Sequence, residues 1–322
     1  MINYFLNNPQ AGIVGFVGVL FAYVVTCLTL GLAKEKLPRD HGRQFAHDGV
    51  LSAGKPRGAG FIFILIFVLT AIIFGDLERE LIIYLILTVA AMITGFLDDC
   101  AKVSWGELRK GLLDLVIAVM TAITYVNFNG SDVTLAFTGQ VITLSPVVYI
   151  ILAIILVWAS INVTNCADGV DGLSGTLASI TLITVYIIMK DRELSPSFMY
   201  LILIFIVCIL GYLWFNATPS TLMMGDAGSR AIGLFIAIAV MKTGSPFLYF
   251  LVACVLMLDG GLGLVKVALL RFFKIKILTN IRTPLHDHVR KNKNWSNAQT
   301  VFKFAIIQIM ISMATIWLLM GM

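Results

Sequence analysis

The chain has 322 residues, 59% of them hydrophobic and 13% charged, with a mean hydropathy of +0.94. Soluble globular domains carry about a quarter charged residues, so an ordinary soluble globule is excluded and a polytopic membrane protein is implied. The net charge of +5 is modest, and its placement along the chain is more informative than its size.

The N-terminal stretch MINYFLNNPQ has no Lys or Arg, and the apolar run behind it is long. That pattern reads as a first anchor helix and not as a cleaved signal peptide. A membrane span needs about 20 apolar residues. Runs bounded by charge or by Gly and Pro clusters predict spans at 11–33, 59–75, 80–97, 111–128, 141–161, 172–189, 197–214, 229–243, 246–270 and 301–321. The second and eighth are short, and the ninth is interrupted by Asp259-Gly260-Gly261 and Gly263. The expected fold is therefore an all-α integral membrane protein of about ten transmembrane helices, forming one domain over 1–322. The outer stretch from Phe128 to Gly139 is turn-rich and predicts a small hairpin. The five cysteines contain no CxxC pair, so free thiols are expected. No internal repeat is visible, which removes the strongest sequence pointer to a transporter.

Orientation follows from the basic residues. Alternate loops hold Lys34, Lys36, Arg39, Arg43, Lys55 and Arg57, then Lys102, Arg109 and Lys110, then Arg230, then the run from Lys266 to Lys303. The other side has only Arg79, Lys190, Arg192 and Lys242 of the 23 Lys and Arg. The crowded side is read as cytoplasmic, with both termini outside. His41 and His47 read as ordinary loop residues.

The polar chemistry falls on that same side. In NVTNCADGVDGLS, Asn162, Asn165, Asp168 and Asp171 recur at spacing three, which sets them on neighbouring positions of one face of a helical segment. Gly169 and Gly172 let backbone approach a ligand closely. Asp98 and Asp99 close the third span. Successive helical residues point about 100° apart, so the two acids are expected to have separate tasks. An acidic end cap is a poor reading, because acids oppose the macrodipole at a helix C-terminus. Asp226, in GDAGSR ahead of a helix start with Ser229 as the expected N-cap, suits magnesium, which prefers carboxylate, water and phosphate oxygen. Asn216 lies just upstream. His286, Asp287 and His288 lack the further ligands zinc wants; with Arg282, Arg290, Lys291 and Lys293 around them they suggest an anion- or substrate-recognition loop. Asp114 and Asp259 lie inside apparent spans, where acids are functional candidates. A secondary transporter with these two as a coupling pair is the alternative of another class; it needs its key acids at mid-membrane, and most lie at one surface. Replacing Asp259 by Asn is accordingly expected to leave substantial activity.

There is no P-loop, no GxSxG and no His-Cys arrangement. An oxygen-rich, magnesium-suited pocket with Lys and Arg nearby fits phosphoryl chemistry between a soluble nucleotide donor and a membrane-borne acceptor.

GKPRGAG, GFLDDCAK, NVTNCADGVDGLSG, FNATPSTLMMGDAGS and TPLHDH with Trp295 behind it, in that order across almost the whole chain, resemble the polyprenyl-phosphate N-acetylhexosamine-1-phosphate transferases. The resemblance implies a magnesium-dependent transfer from a UDP-sugar to undecaprenyl phosphate at the cytoplasmic face of the bacterial inner membrane, with release of UMP. It implies Asp226 as the Mg2+ ligand, Asp98 as the acid that deprotonates the lipid phosphate or helps hold it, and Asp99 as its catalytic neighbour. Asn165, Asp168, Gly169, Asp171, Asn216, His286 and His288 are implied on the substrates; Lys55 in GKPRGAG and Asn162 in NVTN are substrate-binding candidates by their placement on the same side. The PLHDH loop with Trp295 favours UDP-N-acetylmuramoyl-pentapeptide as the donor, with UDP-N-acetylglucosamine as the alternative. The implied partners are these substrates and membrane lipid; nucleic acid is not expected, and a homodimer is left open.

Overall fold

In a computed structural model the protein is described for residues 11–40, 42 and 52–321. Arg43, His41 and His47 lie outside the described residues. The helices are α1 (Ala11–Ala33), α2 (Ala59–Phe74), α3 (Arg79–Asp99), α4 (Glu107–Asn129), α5 (Pro146–Ala167), α6 (Leu173–Asp191), α7 (Pro196–Asn216), α8 (Gly225–Met241), α9 (Pro246–Val252), α10 (Cys254–Phe273), α11 (Leu285–Lys293) and α12 (Asn297–Met320). Each of the ten apolar runs falls on a helix or on the α9–α10 pair. Seven described helices are long and apolar enough to cross a membrane, or eight if the bent pair α9–α10 is one span.

The difference from ten lies in α2 and α8, with 16 and 17 residues. At 1.5 Å per residue each is about 25 Å long, short of the ~30 Å hydrocarbon core. For α8 the reason is structural: every one of its residues is buried. It is a central pillar packed against α2, α3 and α5, and its ends are bounded by protein. Its Phe235 ring lies 4.2 Å from Phe205, 5.4 Å from Phe67 and 5.7 Å from Phe198, centroid to centroid. The pillar meets its neighbours where side chains are missing. A Cβ on Gly95 of α3 would overlap the Asp226 backbone, and one on Gly60 of α2 would overlap that of Gly228.

Two boundaries depart from the sequence reading. The expected span 141–161 begins as a strand: β1 (Asp132–Thr134) and β2 (Val141–Thr143) form an antiparallel hairpin, and α5 starts only at Pro146. Pro suits a first helical position because its missing N–H would be unpaired there, and Ser145 Oγ accepts the Val148 N–H at 3.4 Å. The ninth run does break, with a 77° bend, but at Ala253, ahead of Asp259-Gly260-Gly261. Buried Gln308 of α12 accepts the Val255 N–H at 2.9 Å and donates to the carbonyls of Leu251 and Val252 at 3.1 and 3.0 Å. A break at membrane depth needs such partners for its freed backbone groups. The Asp-Gly-Gly stretch forms a π turn, Met257–Gly261. None of the five cysteines is in a disulfide among the described residues.

Candidate active site

The C-terminal ends of α3, α5 and α7 and the N-terminal ends of α4, α6 and α8 meet at one end of the bundle, and the polar residues singled out in the sequence gather there in two linked groups.

The first group is built on Asp98, Asp99 and Asp226, all buried. Asp99 accepts the backbone N–H of Asp226 and of Ala227 at 3.1 Å each. The carboxylate of one helix thus caps the N-terminus of another, where the macrodipole favours an anion. Gly225 makes this fit: its φ is +70°, and a Cβ there would lie 2.8 Å from Asp99 Cγ. Asp98 points elsewhere, as the 100° offset predicts. Its Oδ1 accepts the Trp105 N–H at 2.6 Å and its Oδ2 pairs with Lys110 Nζ. Lys110 also reaches Asp226 Oδ2 at 3.0 Å. Arg57 lies between the remaining oxygens, with Nε 2.8 Å from Asp99, Nη2 2.9 Å from Asp226 and Nη1 3.2 Å from Asp40. Burial works against the Arg57 charge, but Asp99, Asp226 and Asp40 together raise its pKa above its ordinary value. Behind them Arg230 Nη1 pairs with Asp114 at 3.2 Å, and its Nε is 4.0 Å from Asp226. Charges therefore alternate from Asp98 through Lys110, Asp226 and Arg230 to Asp114.

The second group surrounds the turn after α5. Asp171 Oδ2 accepts the Ser220 N–H at 3.3 Å and lies 3.5 Å from Lys55 Nζ, which donates to Ser220 Oγ at 3.0 Å. Asn216 is buried; it accepts the Gly172 N–H at 2.8 Å and donates to Leu222 O at 2.8 Å, so its amide ties two loops together. Asp168 is half-buried and Gly169 exposed. His286, 2% exposed, faces Gly169, and Arg290 donates to Gly169 O at 3.5 Å. His288 is half-buried, and its Nδ1 accepts the Arg282 N–H at 3.3 Å.

The segment Lys55-Pro56-Arg57 joins the groups, with Lys55 reaching one and Arg57 the other. The Met223 N–H donates to Pro56 O at 2.8 Å, which anchors the segment to the loop before α8. Asn165 also links them, donating to Ser229 Oγ at 2.9 Å. Asn162 stands one turn deeper, with its amide 3.4 Å from Asp114 Oδ2. Ser229 is not the N-cap expected from GDAGSR. The helix starts four residues earlier, and the Ser229 hydroxyl donates back to Gly225 O at 3.0 Å. Asp114 and Asp259 are not a pair either: Asp114 faces Arg230, and Asp259 faces His286 at 2.8 Å.

The sequence reading missed Lys110, Arg230 and Asp40 as site residues. Lys110 enters it only as a charge in the topology count. The signal available was its place one turn ahead of Asp114 on a helix following the Asp98-Asp99 pair.

Among the described residues no three His, Cys, Asp or Glu side chains converge as a metal cage. The donor chemistry nonetheless suits magnesium, which is held by one or two carboxylates plus phosphate oxygens and water. The Lys110 ammonium already bridges Asp98 and Asp226, so these two acids can share one cation.

Residues 81–244 match the family model described as glycosyl transferase family 4; with the names of the relatives below and the helices long and apolar enough to cross a membrane, the class is a membrane sugar-phosphate transferase. The chain is 41% identical over 317 residues to the phospho-N-acetylmuramoyl-pentapeptide-transferase of Treponema pallidum, covering 92% of this chain and 86% of that protein. It is 32% identical to the enzyme of the same name from Symbiobacterium thermophilum, over 78% of each chain, and 28% identical to that of Dictyoglomus thermophilum, over 80% of this chain and 81% of that one. The chain belongs to the phospho-N-acetylmuramoyl-pentapeptide-transferase family.

Proposed function

We propose that the protein transfers phospho-N-acetylmuramoyl-pentapeptide from UDP-N-acetylmuramoyl-pentapeptide to undecaprenyl phosphate, at the cytoplasmic face of the bacterial inner membrane. An oxygen of the lipid phosphate attacks the β-phosphorus of the donor. The bond from that phosphorus to the oxygen bridging it to the α-phosphate breaks, and UMP leaves with the electron pair. A phosphate dianion is already a nucleophile, so the attack needs no covalent enzyme intermediate and no prior proton removal; Asp98 and Asp99 serve in binding and orientation. The observation that carries this reading is the gathering of Asp98, Asp99 and Asp226 around Lys110 and Arg57 at one end of the bundle.

Two phosphate anions must approach each other. Positioned cations that neutralise developing charge contribute most of the catalysis in such transfers. Lys110 and Arg57 are fixed by the acids and supply that charge. Asp226, with Asp98, would hold Mg2+, which when bound lowers the charge of the diphosphate as a Lewis acid. Asp168, Gly169, Asp171 and Lys55 form the nucleotide side, and His286 and His288 the sugar side. The Lys and Arg excess on the loops at the site end supports ten crossings with both termini outside.

The test is UMP release by purified protein with undecaprenyl phosphate and Mg2+, given either UDP-N-acetylmuramoyl-pentapeptide or UDP-N-acetylglucosamine, with and without EDTA. Turnover with the first donor alone, abolished by EDTA and by Asp226→Asn in folded protein, is expected. Turnover with the second alone overturns the donor, and undiminished turnover in Asp226→Asn overturns the metal assignment.

A further inference from the structure

We infer that Asp259 is a positioning residue for the donor-binding turn, acting through His286; this rests on the reading of that turn as the nucleotide side of the transferase site. Asp259 is fully buried, on the π turn of α10. One carboxylate oxygen accepts the backbone N–H of His286 at 2.8 Å, and the other lies 2.8 Å from His286 Nδ1. A single side chain therefore grips both the first turn of α11 and the imidazole ring. A carboxylate only accepts, so Nδ1 is the protonated nitrogen, and the partner at one ring nitrogen sets what the other presents.

The other nitrogen is turned onto the site. A Cβ on Gly169 would collide with His286 Nε2 and stand 2.8 Å from Cε1, so the ring is packed directly on the backbone between Asp168 and Asp171. Arg290, one turn further along α11, donates to the Gly169 carbonyl at 3.5 Å. Beside Asp259, Gly260 sits so close to the last turns of α5 that a Cβ there would be 3.0 Å from Val163 C and 3.1 Å from Cys166 Cβ. The π turn is thus seated on the helix that leads into Asp168, while its carboxylate holds the helix that presses on Gly169. The turn is held from both sides by one short stretch of α10. An acid enclosed this deeply in an apolar helix is costly unless it is fully bonded, and both of its oxygens are engaged by His286. This reverses the expectation from sequence that Asp259 stands apart from the site.

The decisive variant is Asp259→Asn, which keeps the shape but cannot accept from Nδ1–H through its NH2 group while still accepting the backbone N–H. Its expected effect is a rise in KM for the UDP donor on the order of 10-fold, with kcat and the KM for undecaprenyl phosphate changed by less than about twofold. In 15N spectra of protein labelled at histidine, the His286 signal should be that of the Nδ1–H form in the unsubstituted protein and should change to the Nε2–H form in Asp259→Asn. A wild-type His286 protonated at Nε2 alone, or a donor KM unmoved by the substitution, overturns the inference. Gly169→Ala and His286→Ala provide a second test should Asp259→Asn fail to fold. If the ring acts by packing on Gly169, Gly169→Ala raises the donor KM strongly in the presence of His286 and little in its absence; additive effects overturn the inference. The 15N result does not depend on turnover, so a protein that released no UMP with either donor would sink the transferase reading while leaving the Asp259–His286 pair to be judged by its spectra.

Discussion

Lys110 is the residue on which the charge balance of the acidic group depends. It bonds Asp98 and Asp226 together, and without it those two carboxylates face each other with Arg57 as the nearest remaining cation. Replacing it by Met preserves the aliphatic stem and removes the charge. The expected outcome is folded protein whose kcat/KM for UMP release falls about 100-fold, equivalent to ~2.7 kcal/mol of lost transition-state stabilisation. Turnover within about threefold of the unsubstituted protein would show that Lys110 serves structure and not charge neutralisation. At this scale the acids were legible because carboxylates at a membrane edge have few structural uses, and because adjacency on a helix forces Asp98 and Asp99 apart. Two of the cations were not. Lys110 and Arg230 sit in or beside loops whose basic residues also report topology, and nothing in a one-dimensional pattern separates a Lys that orients the chain from one that enters the site. The Asp259–His286 contact joins residues far apart in the chain and has no sequence signature at all.

Among the elements, α8 decides the geometry, because its N-terminus holds Asp226 and is capped by the side chain of another helix. Gly225 is the joint: its positive φ starts the helix and its missing Cβ admits Asp99. Gly225→Ala forces an L residue into the left-handed region, at a cost of about 1–2 kcal/mol, and displaces the Asp99 carboxylate. The thermal midpoint and UMP release should both fall. Gly106→Ala is the control, since Gly106 has an ordinary φ of −63° and a Cβ there would meet nothing within 4 Å. Equal behaviour of the two variants would remove Gly225 from the assembly of the site. The existence of nearly every helix was readable from apolar runs, but the central place of α8 was not. A short apolar run looks like a weak span from the sequence; in the bundle it is short because other helices enclose it. An interruption of the ninth run was likewise readable, but at Asp259-Gly260-Gly261; the break itself falls earlier, at Ala253, since the groups that satisfy it come from Gln308 on α12.

Viewed as a whole, the molecule has a second buried polar cluster at the end opposite the site, where the sequence suggests only bland loops. Glu80, at the start of α3, is buried and takes Lys242 Nζ at 2.9 Å, the Tyr84 hydroxyl at 2.8 Å and the Asn129 amide at 2.6 Å. These partners bring together one set of ends of α3, α4 and α8, the same three helices whose other ends carry Asp98, Asp99, Lys110 and Asp226. The hairpin covers this end, with the Thr134 N–H donating to Gly244 O at 2.9 Å and Arg192 donating to Ala136 O at 3.3 Å. Breaking a buried pair strands the surviving charge and costs about 3–5 kcal/mol, whereas removing both partners costs much less. Lys242→Met should therefore lower the thermal midpoint in detergent strongly, and Glu80→Gln combined with Lys242→Met should recover most of the loss. Because this cluster lies at the opposite ends of the helices that carry Asp98, Asp99, Lys110 and Asp226, kcat of the double variant at a temperature where it stays folded should remain near that of the unsubstituted protein. A double variant no more stable than Lys242→Met would show that this second cluster is held by packing and not by the pair. A stable double variant with no turnover would show that Glu80 and Lys242 act on the site itself, through the register of α3 and α8.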